Sequence, residues 1–232
     1  MTNALLLVVA MSRMMDTHLT VAQRNDACYE LRGIATPEVV SVMVRGLTDP
    51  QVRSCAGTNL RKAGAIGELK NALTADNFEV RALAAREIGG FEKPELLPPL
   101  AAAAHDPQLI VALNAIEGMA NYRDPVVVPY LLDIAKGGGL VGTSALNRAM
   151  MFHDDRVLPV ARQLLASRDV SDKLAAMRLL AEMGDSSDLP ALREIAEKET
   201  DLVSSKGRGF GLMPAISLSH AARTTIEKIE SR

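Results

Sequence analysis

Four prolines set the period of this chain. Pro98, Pro129, Pro159 and Pro190 stand 31, 30 and 31 residues apart. Each occupies the same phrase: Leu97-Pro98-Pro99-Leu100, Val128-Pro129-Tyr130-Leu131, Leu158-Pro159-Val160-Ala161 and Leu189-Pro190-Ala191-Leu192. Inside a helix a proline costs about 3 kcal/mol or more, because it lacks the amide proton and its ring meets the carbonyl one turn back. In the first turn that cost nearly vanishes, since those amides have no intrahelical acceptor. Each phrase therefore marks a helix start, and Asp124, Asp155 and Asp188 ahead of three of them suit the N-cap and the positive end of the helix dipole.

A second helix follows each of these starts with its own signature. It is clearest in the unit Asp76–His105, which reads Val80-Arg81, Ala84, Ile88-Gly89. The neighbours read Gln23-Arg24, Ala27, Leu31, then Gly33; Val52-Arg53, Ala56, Leu60; Val111, Ala115, Met119; Val141, Ala145, Ala149; and Ala175, Leu179, Met183-Gly184. Apolar residues four and eight apart share one helix face. The small residue between them lets two helices approach closely, and the terminal glycine permits a left-handed C-cap. Asp49, Asp76, Asp106 and Asp169 in the turns can cap the second helices, and Arg53 and Arg81 can reach the neighbouring turn and hold the units in register. Val111-Ala112 and Val141-Gly142 lack the arginine, so stacking there is expected to be looser or held by apolar contacts alone.

First helices are expected near 38–47, 65–73, 95–104, 126–136, 156–166 and 189–198, and second helices near 19–32, 51–62, 78–89, 108–120, 141–151 and 172–183. The run 3–11 adds a helix in front and 216–229 adds one behind. The expected organisation is one domain over 1–232: an N-terminal cap over 1–18, repeats over 19–198, a loop over 199–214 and a C-terminal cap over 215–232. One such hairpin cannot bury its apolar face alone, whereas stacked neighbours bury it continuously.

The pattern Asn-x-x-Val-Arg-x-x-Ala-x-x-x-Ile-Gly over Asn77–Gly89, followed by Pro-x-Leu-x-Pro-x-Leu over Pro94–Leu100, resembles the HEAT-like repeats of phycobilin lyases. The looser copies extend the resemblance over about residues 19–198. It implies an all-α fold, a right-handed α-solenoid or superhelix of six to seven helix hairpins. It also implies protein binding along an inner, concave face lined by the second helices. On that face the positions two before each closing apolar residue, and the next row, give Tyr29, Thr58, Asn59, Arg86, Glu117, Asn147 and Arg148 as candidate partner contacts. Tyr29, Arg86 and Arg148 are the anchors, since Tyr and Arg dominate interface energetics. The competing reading of these rows is a solvated helix face.

Composition narrows the function. The chain is 48% hydrophobic but only 3% aromatic, has no Trp and carries a net charge of −2, which lacks the basic excess that duplex binding uses to displace counterions. Gly137-Gly138-Gly139-Leu140-Val141-Gly142 satisfies G-x-G-x-x-G, but a helix precedes it where a dinucleotide site needs a strand, so it reads as a helix stop and linker. His153-Asp154-Asp155 fits no zinc or calcium spacing, and no metal or cofactor is expected. The repeated His-Glu pairs of HEAT-built iron hydroxylases do not occur. Lys206, Arg208 and Phe210 make the long loop a further candidate for binding phosphate or folding onto a partner, against the plainer reading of a surface linker.

Cys28 and Cys55 fall near each other when the repeats are aligned; they are expected as small buried side chains in a reducing compartment, with a redox pair as the alternative. The apolar run Ala4–Met11 is too short to span a bilayer and lacks the flanks of a signal peptide, so it reads as a solenoid helix and the chain as cytoplasmic, with a secreted precursor whose start is misplaced as the alternative. The expected function is a non-catalytic scaffold or adaptor for another protein. A phycobilin-lyase-like chromophore-handling subunit is the alternative, and a DNA-binding or alkylpurine glycosylase-like protein the third reading.

Overall fold

The computed structural model describes residues 3–198, 202–203 and 216–232. Among them the chain is helical: α1 (Asn3–Met15), α2 (Val21–Glu30), α3 (Pro37–Gly46), α4 (Arg53–Lys62), α5 (Ile66–Ala72), α6 (Phe78–Gly89), α7 (Leu97–Ala103), α8 (Leu109–Ala120), α9 (Val128–Ala135), α10 (Gly139–Met150), α11 (Val157–Leu165), α12 (Val170–Met183), α13 (Leu189–Lys198) and α14 (Leu218–Glu230). Successive helices pack in pairs, α1 on α2 through α13 on α14, giving seven hairpins among the described residues. Two-residue strands, β1 (Leu202–Val203) and β2 (Ile216–Ser217), pair antiparallel with Leu202 opposite Ser217. The all-α hairpin array expected from the proline period is thus present. The hairpins fall into two compact units, residues 1–127 with α1 to α8 and residues 128–232 with α9 to α14.

The helix starts obey local chemistry. Pro98, Pro129, Pro159 and Pro190 all lie in the first turn of their helices. Single turns of 3-10 helix precede three of them, over Pro94–Leu96, Pro125–Val127 and Ser186–Asp188. Thr20 caps α2 through a reciprocal pair with Gln23, Thr36 caps α3, Asn77 caps α6 and Asp169 caps α12. The turn aspartates divide differently from expectation. Asp169 is an N-cap, but Asp49 and Asp106 close the turn one step earlier, on the amides of Gln51 and Gln108 at 2.9 and 2.8 Å. At the third turn the cap is Asn77, which leaves Asp76 without that role. Before α11 it is Asp154 rather than Asp155 that accepts an amide, from Arg156.

Packing follows the small residues. Ala27, Ala56, Ala84, Ala115 and Ala145 are buried, as are the closing residues Leu31, Leu60, Ile88, Met119 and Ala149. Each large one of these contributes about 2 kcal/mol by leaving water. The glycine at the end of α6 does a different job from the one its position suggests. Gly33 has φ +76 and supplies the left-handed stop, but Gly89 and Gly184 do not, and after α6 the left-handed residue is Glu92 with φ 52. A Cβ on Gly89 would sit 2.2 Å from the Cα of Gly118, so this pair exists to bring the backbones of α6 and α8 together.

Arginines set the register of the first unit. Arg24, 2% exposed, donates through Nε to the Met14 carbonyl and through its other nitrogens to Gln51 and Asp49 of the next turn. Arg53 donates to the Leu47 carbonyl at 2.7 Å and to Glu79 of the following hairpin. Arg81 donates to the carbonyls of Ala75 and Asp76 and grips Asp106 with two nitrogens at 2.7 and 3.1 Å. Where the arginine is missing, other polar ties replace it rather than apolar contact alone. Asn114 donates to the Ala82 carbonyl of α6, and in the second unit Asp172 accepts from the Gly139 amide at 2.7 Å.

The two cysteines are not free thiols. Cys28 and Cys55 form a disulfide between α2 and α4, with Cα atoms 6.4 Å apart. Repeat alignment placed them together correctly, but the expected reduced state does not hold. Closing a loop of 27 residues removes chain entropy from the unfolded state, worth about 3–4 kcal/mol. Reduction with dithiothreitol is therefore expected to lower the urea midpoint of the wild type and to leave a Cys28→Ser, Cys55→Ser variant unchanged, measured by circular dichroism.

The hydrogen bond from Arg81 holds the Asp106 carboxyl below the usual carboxylate range, with Gln108 adding to it. Its contribution to stability is present above about pH 4, the unfolded value, and is lost as pH falls through the lower folded value. Asp106→Asn is expected to cost about 1–2 kcal/mol at pH 7 and to match the wild type ever more closely below pH ~3 in urea unfolding at each pH.

Candidate functional site

The second helices offer their polar faces unevenly. Tyr29 on α2 is 59% exposed. Thr58 on α4 is half-buried and donates to Glu87 at 3.4 Å. Asn59 is not on the surface: it is buried, and its amide donates to the Cys28 carbonyl at 2.7 Å beside the disulfide. It belongs to the packing between α2 and α4, which removes it as a partner contact. Glu117 on α8 is exposed. In the second unit Asn147 accepts from Arg178, and Arg148 lies half-buried with Nη1 against the Met151 sulfur. Lys206, Arg208 and Phe210 lie outside the described residues.

Arg86 is different, because it lines a cleft. Its partner Glu87 is 4% exposed, and burying an ionised carboxylate is tolerable only with close donors. Three are present. Arg61 Nε donates to Glu87 Oε2 at 2.8 Å, Arg86 Nη2 to Oε1 at 2.9 Å, and Thr58 Oγ1 to the same oxygen. Gly90 leaves room for the crossing: a Cβ there would stand 2.7 Å from Arg61 Cδ, and the arginine would have to shift. Around them Glu92, Asn121 and Arg123 complete a concavity of about 480 Å³. Glu92 holds its left-handed backbone at this rim, a conformation that costs a side chain of about 1 kcal/mol.

Sequence reasoning found Arg86 in this cleft and missed Arg61, Glu92, Asn121 and Arg123. All four lie at or beyond the C-terminal ends of the second helices, one turn past the rows chosen. The signal available was the cations at those ends: Arg32 after α2, Arg61 and Lys62 closing α4, and Arg123 after α8.

Other features carry less chemistry. In the glycine-rich turn, the Gly139 amide is taken by Asp172, and Asp172 Oδ2 stands where a Cβ of Gly138 would fall. Asp154 beside His153 is gripped by Arg156, whose hydrogen bonds bring its carboxyl down to about 2. Among the described residues no cluster of three or more His, Cys, Asp or Glu side chains is placed to hold a metal. No described helix is long and apolar enough to cross a membrane.

Removing the carboxylate at the centre of the cleft leaves two guanidiniums without their anchor. Glu87→Ala is expected to cost about 2 kcal/mol in urea unfolding, while Glu92→Gly costs nothing measurable or relieves strain.

A family model for HEAT repeats matches residues 66–141, about a third of the chain. A search of curated proteins finds no match in sequence. Among solved structures, the chain is similar to Escherichia coli YibA at 14% identity, covering 100% of this chain and 93% of that one, with a TM-score of 0.53. It is similar to Kap95p, solved with RanGDP, at 14% identity over 98% of this chain and 35% of Kap95p, with a TM-score of 0.61. It also aligns with the CpcE–CpcF phycocyanin lyase complex of Nostoc sp. at 17% identity, covering 97% and 94%, with a TM-score of 0.44. At such identities the likeness is one of fold. Together with the proline and arginine periods, these likenesses show an all-α fold of helix hairpins that resembles HEAT repeats over residues 66–141.

Proposed function

We propose that this protein is a non-catalytic scaffold that binds another protein through the exposed faces of its second helices. The observation that carries the reading is the contrast along α2, α4 and α6. Alanines and leucines on one side of each helix are buried, while Tyr29 and Arg86 on the other stay largely open. A large aromatic ring held out on a rigid helix is costly to leave in water and inexpensive to order on binding, which is why tyrosine and arginine are enriched where interfaces gain most of their energy. The fold shared with Kap95p, a protein that binds RanGDP, supports the same reading.

The compartment is redirected by the disulfide. A buried Cys28–Cys55 bond is at home in an oxidising environment, which favours such a compartment over the cytoplasm expected from the sequence.

The test is capture of a partner by the full chain, followed by the same capture with Tyr29→Ala and, separately, with Arg223→Ala on α14. One protein retained in stoichiometric amount, reduced at least tenfold by Tyr29→Ala and unchanged by Arg223→Ala, is the expected result. Equal retention by all three chains overturns the use of this face.

A further inference from the structure

The cleft beside α4, α6 and α8 has a chemistry of its own, which deepens the scaffold reading and rests on it. Its two inner arginines are already oriented. Arg61 spends only Nε on Glu87, and Arg86 spends Nε and Nη2, so both Nη atoms of Arg61 and Nη1 of Arg86 find no acceptor among the described residues. Arg123 on the rim makes no hydrogen bond or ion pair among the described residues. Next to them Arg32 and Lys62 make no ion pair among the described residues. Desolvation, and then repulsion from Arg32 and Arg61, holds the Lys62 ammonium below the usual lysine range, which shows how closely these cations are crowded.

Cations at helix C-termini have an ordinary structural use, because each helix end carries about half a negative charge. That use does not absorb them all. The cleft lining carries three cations, Arg61, Arg86 and Arg123, against two carboxylates, Glu87 and Glu92, with Asp124 beside Arg123 in the adjoining concavity, while Arg32 and Lys62 lie next to Arg61 outside the lining. What the cleft offers in surplus is therefore open donors rather than net charge. The donors left open are planar guanidiniums, which match a carboxylate with two parallel N–H bonds. Their orientation is fixed before any ligand arrives, so less entropy is lost on binding.

We infer that this cleft is the recognition site for an acidic segment of the partner protein, with Arg61, Arg86 and Arg123 receiving its carboxylates and Glu87 acting as the positioning residue that aims the first two. Glu92 stands at the rim as a repelling charge, so its neutralisation strengthens binding.

The probe is a fluorescein-labelled hexaglutamate peptide titrated into the full chain at low ionic strength and followed by anisotropy. Saturable binding is expected, weakened at least fivefold by Arg123→Ala and strengthened about twofold or more by Glu92→Gln. Arg223→Ala, which removes the same charge from α14, should change it less than twofold. Arg123 supports no described contact, so loss of folding does not confuse the result, and circular dichroism checks this. Absence of saturable binding, or equal weakening by Arg123→Ala and Arg223→Ala, overturns the assignment. So does tighter binding of a duplex oligonucleotide with the same dependence on Arg123. If the capture experiment loses its partner with Tyr29→Ala but keeps it with Arg123→Ala, the scaffold reading stands and the cleft assignment alone falls.

Discussion

A helix hairpin of this length has one apolar face too many, and the next hairpin must arrive at the right height to cover it. In residues 1–127 an arginine sets that height. Arg24, Arg53 and Arg81 each bond carbonyls within or just before the turn of their own hairpin and a carboxylate in the next. Arg24 and Arg81 are nearly or largely withdrawn from water, which would be costly without this full set of acceptors. The apolar contacts supply most of the energy but tolerate sliding. A charged group with acceptors on two successive hairpins does not, so stacking register depends on it.

Small residues then decide how close the layers come. Gly89 and Gly118 bring α6 and α8 to backbone contact, and within the first unit the buried Ala27, Ala56 and Ala84 at the centres of the second helices allow close approach. Between α4 and α6, Gly57 packs against Leu83, and Arg61 passes against Gly90 to reach Glu87. The cleft is therefore a product of the packing: the same narrow spacing that seals the core brings guanidiniums from α4 and α6 onto the single carboxylate of Glu87.

The helices were legible because their signals are local. Proline in a first turn, Thr or Asn ahead of a helix and apolar residues four apart report on the few residues around them, and the observed helices follow them within a few positions. What failed was anything needing the third dimension. Gly89 looked like a C-cap because glycine ends helices so often, and nothing nearby in the chain reveals Gly118. Asn59 looked like its surface neighbours in the row, yet a shift of about 100° round the helix axis from Thr58 turns it inward to the Cys28 carbonyl. Cys28 and Cys55 could be placed side by side by alignment, but spacing does not report redox state. At the cleft, Arg86 was visible from its row, while Arg61 and Arg123 were not, because they belong to helix ends that only stacking brings together.

Glu87 shows how far structure and function constrain one another here. As a stabilising device alone it is a poor choice. Replacing the whole set of Glu87 and its two arginines by apolar groups would remove the desolvation cost, and such replacements of buried ion pairs are often neutral or favourable. Its two arginines are a third to a half exposed, so they gain little from pairing that water would not also provide. What the carboxylate does uniquely is orient: it consumes one edge of each guanidinium and leaves the others facing the same space. A buried charge at the centre of a cleft is a local cost that core packing does not call for, whereas a site pre-set for anionic groups uses it to aim two guanidiniums into one space.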